Sequence, residues 1–259
     1  MQKSEKKDIQ SGKPFTRLNI SPLLTGEIHL WAISLNSDSA LFERCKAFLT
    51  DPELDRISFY NFDQVQKNYV ISQGGLRLIL SSYLNIEPQK IQIRSRSKGK
   101  PYTADDTSLY FNNSNSGKLC VYAFSRAGDV GIDIEEVRPL SDIDFLIDNN
   151  FTEKEKHYIN KNNKNRIERF FQFWTIKEAY LKAIGEGMRL TPISLEFSIE
   201  NDCFKLDAVN GIFEQEDWLF KVITPGANYM GAVTYKGSQT KIIGMRFIKL
   251  SAEKERADR

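Results

Sequence analysis

The segment that most constrains how this chain can fold is Arg166–Ile184. Its core, Phe170-Phe171-Gln172-Phe173-Trp174-Thr175-Ile176-Lys177-Glu178-Ala179-Tyr180-Leu181-Lys182-Ala183-Ile184, is helical in period. It is also apolar nearly all round, so this helix must be buried on several sides. Phe170, Trp174, Glu178 and Leu181 share one stripe of it, and Glu178 sits where an apolar residue is expected. A buried carboxylate needs a partner or a metal. Lys182, one turn further on, is a possible partner, and an exposed i,i+4 ion pair between the two is the competing reading.

A second acidic element lies upstream. Val130 to Glu136 (VGIDIEE) reads as a strand, and side chains on a strand alternate between its faces. Ile132 and Ile134 then face a core, while Asp133 and Glu135 stand side by side on the other face. Two carboxylates at ~6 Å and an effective dielectric of about 20 repel by about 3 kcal/mol. Alone the pair reads more readily as a solvated surface. Beside Glu178 it becomes a candidate metal site of Asp133, Glu135 and Glu178. Carboxylates without histidine suit a hard cation, and Mg2+ completes its octahedron with waters and phosphate oxygens.

Two polar segments add phosphate-binding chemistry. In Arg94-Ser95-Arg96-Ser97-Lys98-Gly99-Lys100-Pro101, basic residues alternate, and Gly99 allows close backbone approach. This reads as a phosphate cradle or as a solvated charge run. There is no GxxxxGK[ST] motif, so it is not a P-loop. Phe111-Asn112-Asn113-Ser114-Asn115-Ser116-Gly117 reads as a strand end giving way to a polar turn. Its side chains either hydrogen-bond a phosphate or form an ordinary Asn/Ser turn.

Composition narrows the chemistry further. The 259 residues carry a net charge of +2, which gives no global case for nucleic acid or an acidic membrane. Only His29 and His157 are present, too few for HExxH, a two-histidine metal site or most triads. Cys45, Cys120 and Cys203 are far apart and odd in number, which favours reduced thiols and a cytoplasmic setting. Met1 to Lys13 lacks the apolar core of a signal peptide, and no stretch approaches the ~18 apolar residues of a membrane helix. The tail Ser251–Arg259 is expected to fray.

Strands are expected at Glu27–Leu35, Ile91–Ile93, Ser108–Asn112, Leu119–Ser125, Ile193–Ser198, Cys203–Leu206, Trp218–Ile223, Tyr229–Thr234 and Lys241–Phe247, with helices at Leu41–Leu49, from Asp51, and at Asp63–Leu84. In the last of these, Gly74 and Gly75 each cost ~1 kcal/mol against Ala. Thr152-Glu153-Lys154-Glu155 is a capping-box signature for a further helix. The order strand, helices, strands occurs twice. The expected class is α+β, with two similar halves forming a pseudo-dimer: residues 27–126 and 127–250, after a polar extension 1–26 and before a charged tail 251–259.

RSKGKP (Arg96–Pro101), FNNSNS (Phe111–Ser116), GIDIEEV (Gly131–Val137) and FWTIKEAYLKAIGEG (Phe173–Gly187), in this order, resemble the 4'-phosphopantetheinyl transferases. The likeness is to the larger single-chain group that activates peptide synthetases and acyl carrier proteins. FYNFDQVQKNYVISQGGLRLILSSYL upstream matches more loosely. The resemblance implies an active site between the halves and an expected monomer. It implies coenzyme A as donor, Mg2+ or Mn2+ as cofactor, and a serine of an acyl or peptidyl carrier protein as acceptor, for fatty-acid, polyketide or nonribosomal peptide synthesis. It places the metal at Asp133, Glu135 and Glu178, and the phosphate-steadying lysine at Lys182. Coenzyme A contacts fall on Arg96, Ser97, Lys98, Gly99, Lys100, Pro101, Asn112, Asn113, Ser114 and Asn115, with Asp133, Glu178 and Lys182. Glu178 is the expected general base, and Ser141–Ile159, with Lys154 and Lys156, the expected carrier-docking region.

The chain departs from the family pattern in two places. The usual histidine of the FNxSHS segment is Asn115, and basic positions after Asp63 are Gln64 and Gln66, with Lys67 nearby. Charge-assisted hydrogen bonds are about twice as strong as neutral ones, so these changes predict a weaker hold on a phosphate. Two other readings remain on the residues alone: a non-catalytic coenzyme A or nucleotide binder, and a Mg2+-dependent phosphohydrolase.

Overall fold

The computed structural model describes residues 17–36, 38–185, 189–213, 217–237 and 240–248. The N-terminal extension up to residue 16, the tail 251–259, and Glu186 and Gly187 lie outside the described residues. In chain order the elements are β1 (Glu27–Ser34), α1 (Ser39–Lys46), α2 (Asp51–Ile57), α3 (Asp63–Leu84), β2 (Ile93–Ser95), β3 (Pro101–Thr103), β4 (Tyr110–Ser116), β5 (Leu119–Ser125) and β6 (Val130–Glu136). They continue with α4 (Ile143–Asn150), α5 (Glu153–Asn160), α6 (Arg166–Ile184), β7 (Leu195–Glu200), β8 (Cys203–Val209), β9 (Ile212–Phe213), β10 (Trp218–Ile223), β11 (Tyr229–Lys236) and β12 (Lys241–Phe247). The class is α+β.

Two sheets dominate. One has the order β12-β1-β5-β4 and the other β10-β11-β6. Their inner faces share a core in which Ile28, Leu30, Ala32, Val121 and Ala123 meet Ile132, Ile134 and Val233. Each sheet covers its outer face with a long helix. On the first, α3 packs Ile71, Leu78 and Ile79 against Ile33, Tyr122 and Phe124. On the second, α6 packs Ile176, Ala179 and Ala183 in one cluster with Trp218, Phe220 and Ala232. The second half therefore repeats the helix-on-sheet plan of the first. One strand crosses over: β12, placed with the second half by sequence order, pairs in parallel with β1 and becomes the edge of the first sheet.

Several boundaries differ from sequence expectation for local reasons. The strand expected at Ile91 begins at Ile93. Arg77 donates to the carbonyls of Pro88 and Ile91, and Asp105 accepts from the Gln92 N–H at 2.6 Å. The helix expected from Leu41 starts at Ser39, because Asp38 caps the Leu41 N–H at 2.8 Å. Residues 192–194 form a 3-10 turn, so the strand expected at Ile193 begins at Leu195. Gly74 and Gly75 lie in an unbroken α3. A Cβ at Gly74 would sit 2.6 Å from the Cys45 Cβ, and one at Gly75 2.6 Å from the Tyr122 Oη. Both glycines admit close packing that alanine would not, which offsets their helix-propensity cost.

Candidate active site

The site forms where α6, β6 and β4 converge. Gly131, Asp133 and Glu135 alternate with the core residues Ile132 and Ile134, so they face α6. Gly131 brings the two elements together: a Cβ there would lie 1.9 Å from the Ala179 carbonyl oxygen. The helix thus rides on β6, and Glu178 and Lys182 reach the carboxylates of the strand.

The strand β4 supplies the other wall. The polar turn expected at Asn112–Ser116 is strand instead, paired with β5 up to Ser116, and the turn falls at Gly117 and Lys118. Its even positions stitch β4 to β6 through side chains. Asn112 Oδ1 accepts the Ile132 N–H at 2.9 Å. Ser114 Oγ donates to Asp133 Oδ1 at 2.8 Å, and Ser116 Oγ donates to Glu135 Oε2 at 2.7 Å. Asn113 and Asn115 fall on the opposite face by the same alternation, Asn115 opposite Cys120 and exposed. The structure therefore brings Asn112 and Ser114 to the carboxylates and leaves Asn113 and Asn115 off that face.

Asp133 is 4% exposed and accepts from Lys182 Nζ at 2.6 Å. The ion pair of Lys182 is with Asp133 rather than with Glu178. The other Asp133 oxygen, Oδ2, is buried without a hydrogen-bond partner. Burial raises the Asp133 carboxyl above its ordinary range against the opposing pull of Lys182. Burial also raises Glu135, with Ser116 opposing and the Asp133 charge adding to the rise. Glu178 is pushed up by burial and by the charges of Asp133 and Glu135, with Lys182 opposing. The alternative of solvated surface carboxylates is thereby set aside for Asp133.

Three carboxylates share one ammonium. Among the described residues, no three His, Cys, Asp or Glu side chains are gathered tightly enough to hold an ion as they stand. Mg2+, however, commonly takes one or two carboxylates and leaves its other positions to water and phosphate. The unpartnered Asp133 Oδ2 and the excess of negative charge fit such an ion.

Beside the carboxylates opens a cleft of about 610 Å³, lined by Lys98, Gly99, Lys100, Pro101, Asn112, Glu178, Leu181, Lys182, Leu190 and Pro192 among others. Arg96 and Ser97 line a smaller crevice of about 170 Å³ next to it, with Lys98 and Lys100. Gly99 turns the β2–β3 hairpin at φ 95°, a conformation glycine adopts freely. Lys100 is a correction to the reading of four like cations. It is 9% exposed, pairs with Asp129 at 2.7 Å, and donates to the Ala183 carbonyl. It therefore ties the hairpin to the C-terminus of α6. Arg96 lies over the Tyr102 ring at 5.4 Å. Lys98 and Lys182 are the other basic residues of the cleft wall.

Ser116, which hydrogen-bonds Glu135, is not singled out by the sequence reading. Ser116 was legible in principle, since it lies two residues beyond Ser114 on one strand face. Lys154 and Lys156 were read as a basic surface, but their charges are met locally. Lys154 pairs with Asp207 at 2.5 Å and lies 3.9 Å from Glu196, and Lys156 pairs with Glu153 at 2.9 Å and lies 3.7 Å from Asp148.

The family model "4'-phosphopantetheinyl transferase superfamily" matches residues 129–234, and "4'-phosphopantetheinyl transferase, N-terminal" matches residues 35–127. The chain belongs to the 4'-phosphopantetheinyl transferase superfamily. It is 36% identical to the 4'-phosphopantetheinyl transferase HetI of Nostoc sp. over 172 residues, 64% of this chain and 72% of that protein. It is 40% identical to the 4'-phosphopantetheinyl transferase gsp of Aneurinibacillus migulanus over 51% of this chain and 54% of that one. It is 27% identical to the L-aminoadipate-semialdehyde dehydrogenase-phosphopantetheinyl transferase of Xenopus laevis over 74% of this chain and 71% of that one. No helix among the described residues is long and apolar enough to cross a membrane.

Proposed function

We propose that this chain transfers the 4'-phosphopantetheine arm of coenzyme A to a serine of an acyl or peptidyl carrier protein, releasing 3',5'-ADP, with Mg2+ or Mn2+ as cofactor. The observation that carries this reading is the cleft. It joins the basic side chains of Lys98 and Lys182 to apolar Leu181, Leu190 and Pro192, and Glu178 lines it too, while Lys182 pairs with Asp133, whose other oxygen is unpartnered. A wall both basic and apolar suits a ligand that carries phosphates and an uncharged arm.

Asp133, Glu135 and Glu178 would hold the metal. Bound there, a divalent cation neutralises charge on the pyrophosphate oxygens. The chain's own groups do the rest. The carrier serine attacks the phosphorus on the pantetheine side, and the bond from that phosphorus to the oxygen of 3',5'-ADP breaks. Glu178 accepts the serine proton. A positioned general base of this kind is worth about 10² to 10⁴ in rate. Lys182 supplies positive charge to the transferring phosphate. Arg96 to Pro101 and Asn112 hold the nucleotide end. Docking of the carrier along α4 and α5 rests on α4, where Phe145 is 67% exposed, more than on Lys154 and Lys156.

The test is mass spectrometry of purified apo-carriers, acyl and peptidyl, incubated with this protein, coenzyme A and Mg2+. A gain of one phosphopantetheine arm on the carrier serine is expected. Release of pantetheine phosphate without an acceptor would replace the reading with a phosphohydrolase. Binding of coenzyme A with no transfer to any carrier would replace it with a non-catalytic binder.

A further inference from the structure

Lys177 precedes the proposed base in sequence and points the other way. It is fully buried, 0% exposed, and so is its ion-pair partner Glu155, at 2.6 Å. Its ammonium also donates to three backbone carbonyls from two other segments: Asn150 at the end of α4 at 3.1 Å, Pro192 at 2.8 Å and Leu195 at 2.9 Å. The Phe151 ring lies 4.9 Å from it. A lysine has three N–H donors, and a neutral amine has two.

Two of those carbonyls belong to the segment 190–195, and Leu190, Thr191 and Pro192 line the cleft. The helix α6 lines the same cleft through Glu178, Leu181 and Lys182. Lys177 thus clamps one lining segment of the cleft to the helix that supplies another. Glu155 holds its surroundings without Lys177: it accepts the Thr152 N–H at 2.8 Å and the Phe197 N–H at 2.9 Å.

We infer that Lys177 is a positioning residue for the donor, setting the width of the cleft by holding the 190–195 segment against α6. The inference rests on the reading of this cleft as the coenzyme A site. The clamp acts through the Lys177 N–H groups, and Glu155 serves chiefly to neutralise them. That division separates a positioning role from a merely structural one.

Two variants read the difference. Glu155→Gln removes the neutralising charge. The variant keeps the Lys177 N–H donors to the Pro192 and Leu195 carbonyls. Lys177→Met removes the donors and keeps the length of the side chain. Both lower the melting temperature. Only Lys177→Met is expected to raise the KM for coenzyme A, by about tenfold with kcat within about twofold. It is also expected to weaken coenzyme A binding by a similar factor in calorimetry.

If Lys177→Met fails to fold, Lys177→Met/Glu155→Leu removes the stranded charge and takes its place. An unchanged KM and binding constant in the folded Lys177 variant overturns the inference, and so does an equal rise in Glu155→Gln. Calorimetry with coenzyme A reads the clamp without turnover. A wild-type protein that binds coenzyme A but transfers nothing therefore defeats the transferase reading and leaves the clamp testable. A wild-type protein that does not bind coenzyme A defeats both.

Discussion

Lys177 and Lys182 lie close together on one helix and meet opposite electrostatic worlds. Lys177 is fully buried, its charge is matched by one carboxylate, and its remaining hydrogens go to backbone carbonyls. Lys182 is 29% exposed on its side chain and, among the described residues, is the ammonium that pairs with Asp133 and opposes the raised carboxyls of Glu135 and Glu178. In the first, one ammonium faces one carboxylate, and both oxygens of that carboxylate are hydrogen-bonded. The second has surplus negative charge and an unpartnered oxygen. A buried polar cluster that satisfies every member serves the fold. One left short of positive charge stores unfavourable energy, and such groups concentrate where a ligand or metal completes them. Sequence spacing alone does not separate the two lysines, since both follow the aromatic run and both have a glutamate within reach.

The largest effect that would break this contrast is catalytic. Glu178→Gln keeps the shape of the side chain and removes its charge. Transfer to a purified apo-carrier should fall by about 10² to 10⁴ in kcat, read by mass spectrometry or by release of 3',5'-ADP. The melting temperature should not fall, because among the described residues no hydrogen bond of the fold depends on that carboxylate. Transfer at wild-type rate would remove Glu178 from the site and reduce its raised carboxyl to an accident of burial.

The next effect is on stability and lies on the other side of the helix. Lys177→Met leaves Glu155 buried without its counter-ion. Breaking a fully buried pair in this way costs about 3–5 kcal/mol, visible as a lower midpoint in urea unfolding. A loss below about 1 kcal/mol would mean that the Lys177 pair is no more structural than a surface bridge, and the contrast would close from that side.

Much of this architecture was legible before any coordinates. Alternation on Gly131–Glu135 and the stripe through Phe170, Trp174 and Glu178 place the acidic groups correctly, because burial enforces both periods. The parts that were not legible depend on partners distant in sequence. Lys100 reads as a cradle cation until Asp129 and the Ala183 carbonyl are found around it. Asn113 and Asn115 read as turn residues because Asn and Ser favour turns, yet pairing with β5 carries them into a strand. Lys154 reads as part of a basic face until Asp207 is placed. The crossing of β12 to the first sheet leaves no local mark in composition or period.

The smallest expected effect is the sharpest test of the charge deficit. The carboxyls of Asp133, Glu135 and Glu178 are all raised, by burial first. Each therefore binds its proton more tightly in the folded chain than in the unfolded one. Between the ordinary values of 3.8 and 4.5 and the raised folded values, the folded state carries more protons. These groups thus favour the fold at the acid end of that window, and the contribution is lost as pH rises through it. Glu178→Gln removes one of the three charges and with it part of the loss. In EDTA near neutral pH the variant should melt about 2–4 °C above the wild type, and the gap should narrow on acidification toward pH 4.5. Millimolar Mg2+ should raise the wild-type melting temperature and shrink the gap from the other side, since a cation bound to the folded state alone adds to its stability. A variant that melts below the wild type in EDTA would show that Lys182 alone balances the site, and the difference between the two lysines would then be one of exposure rather than charge.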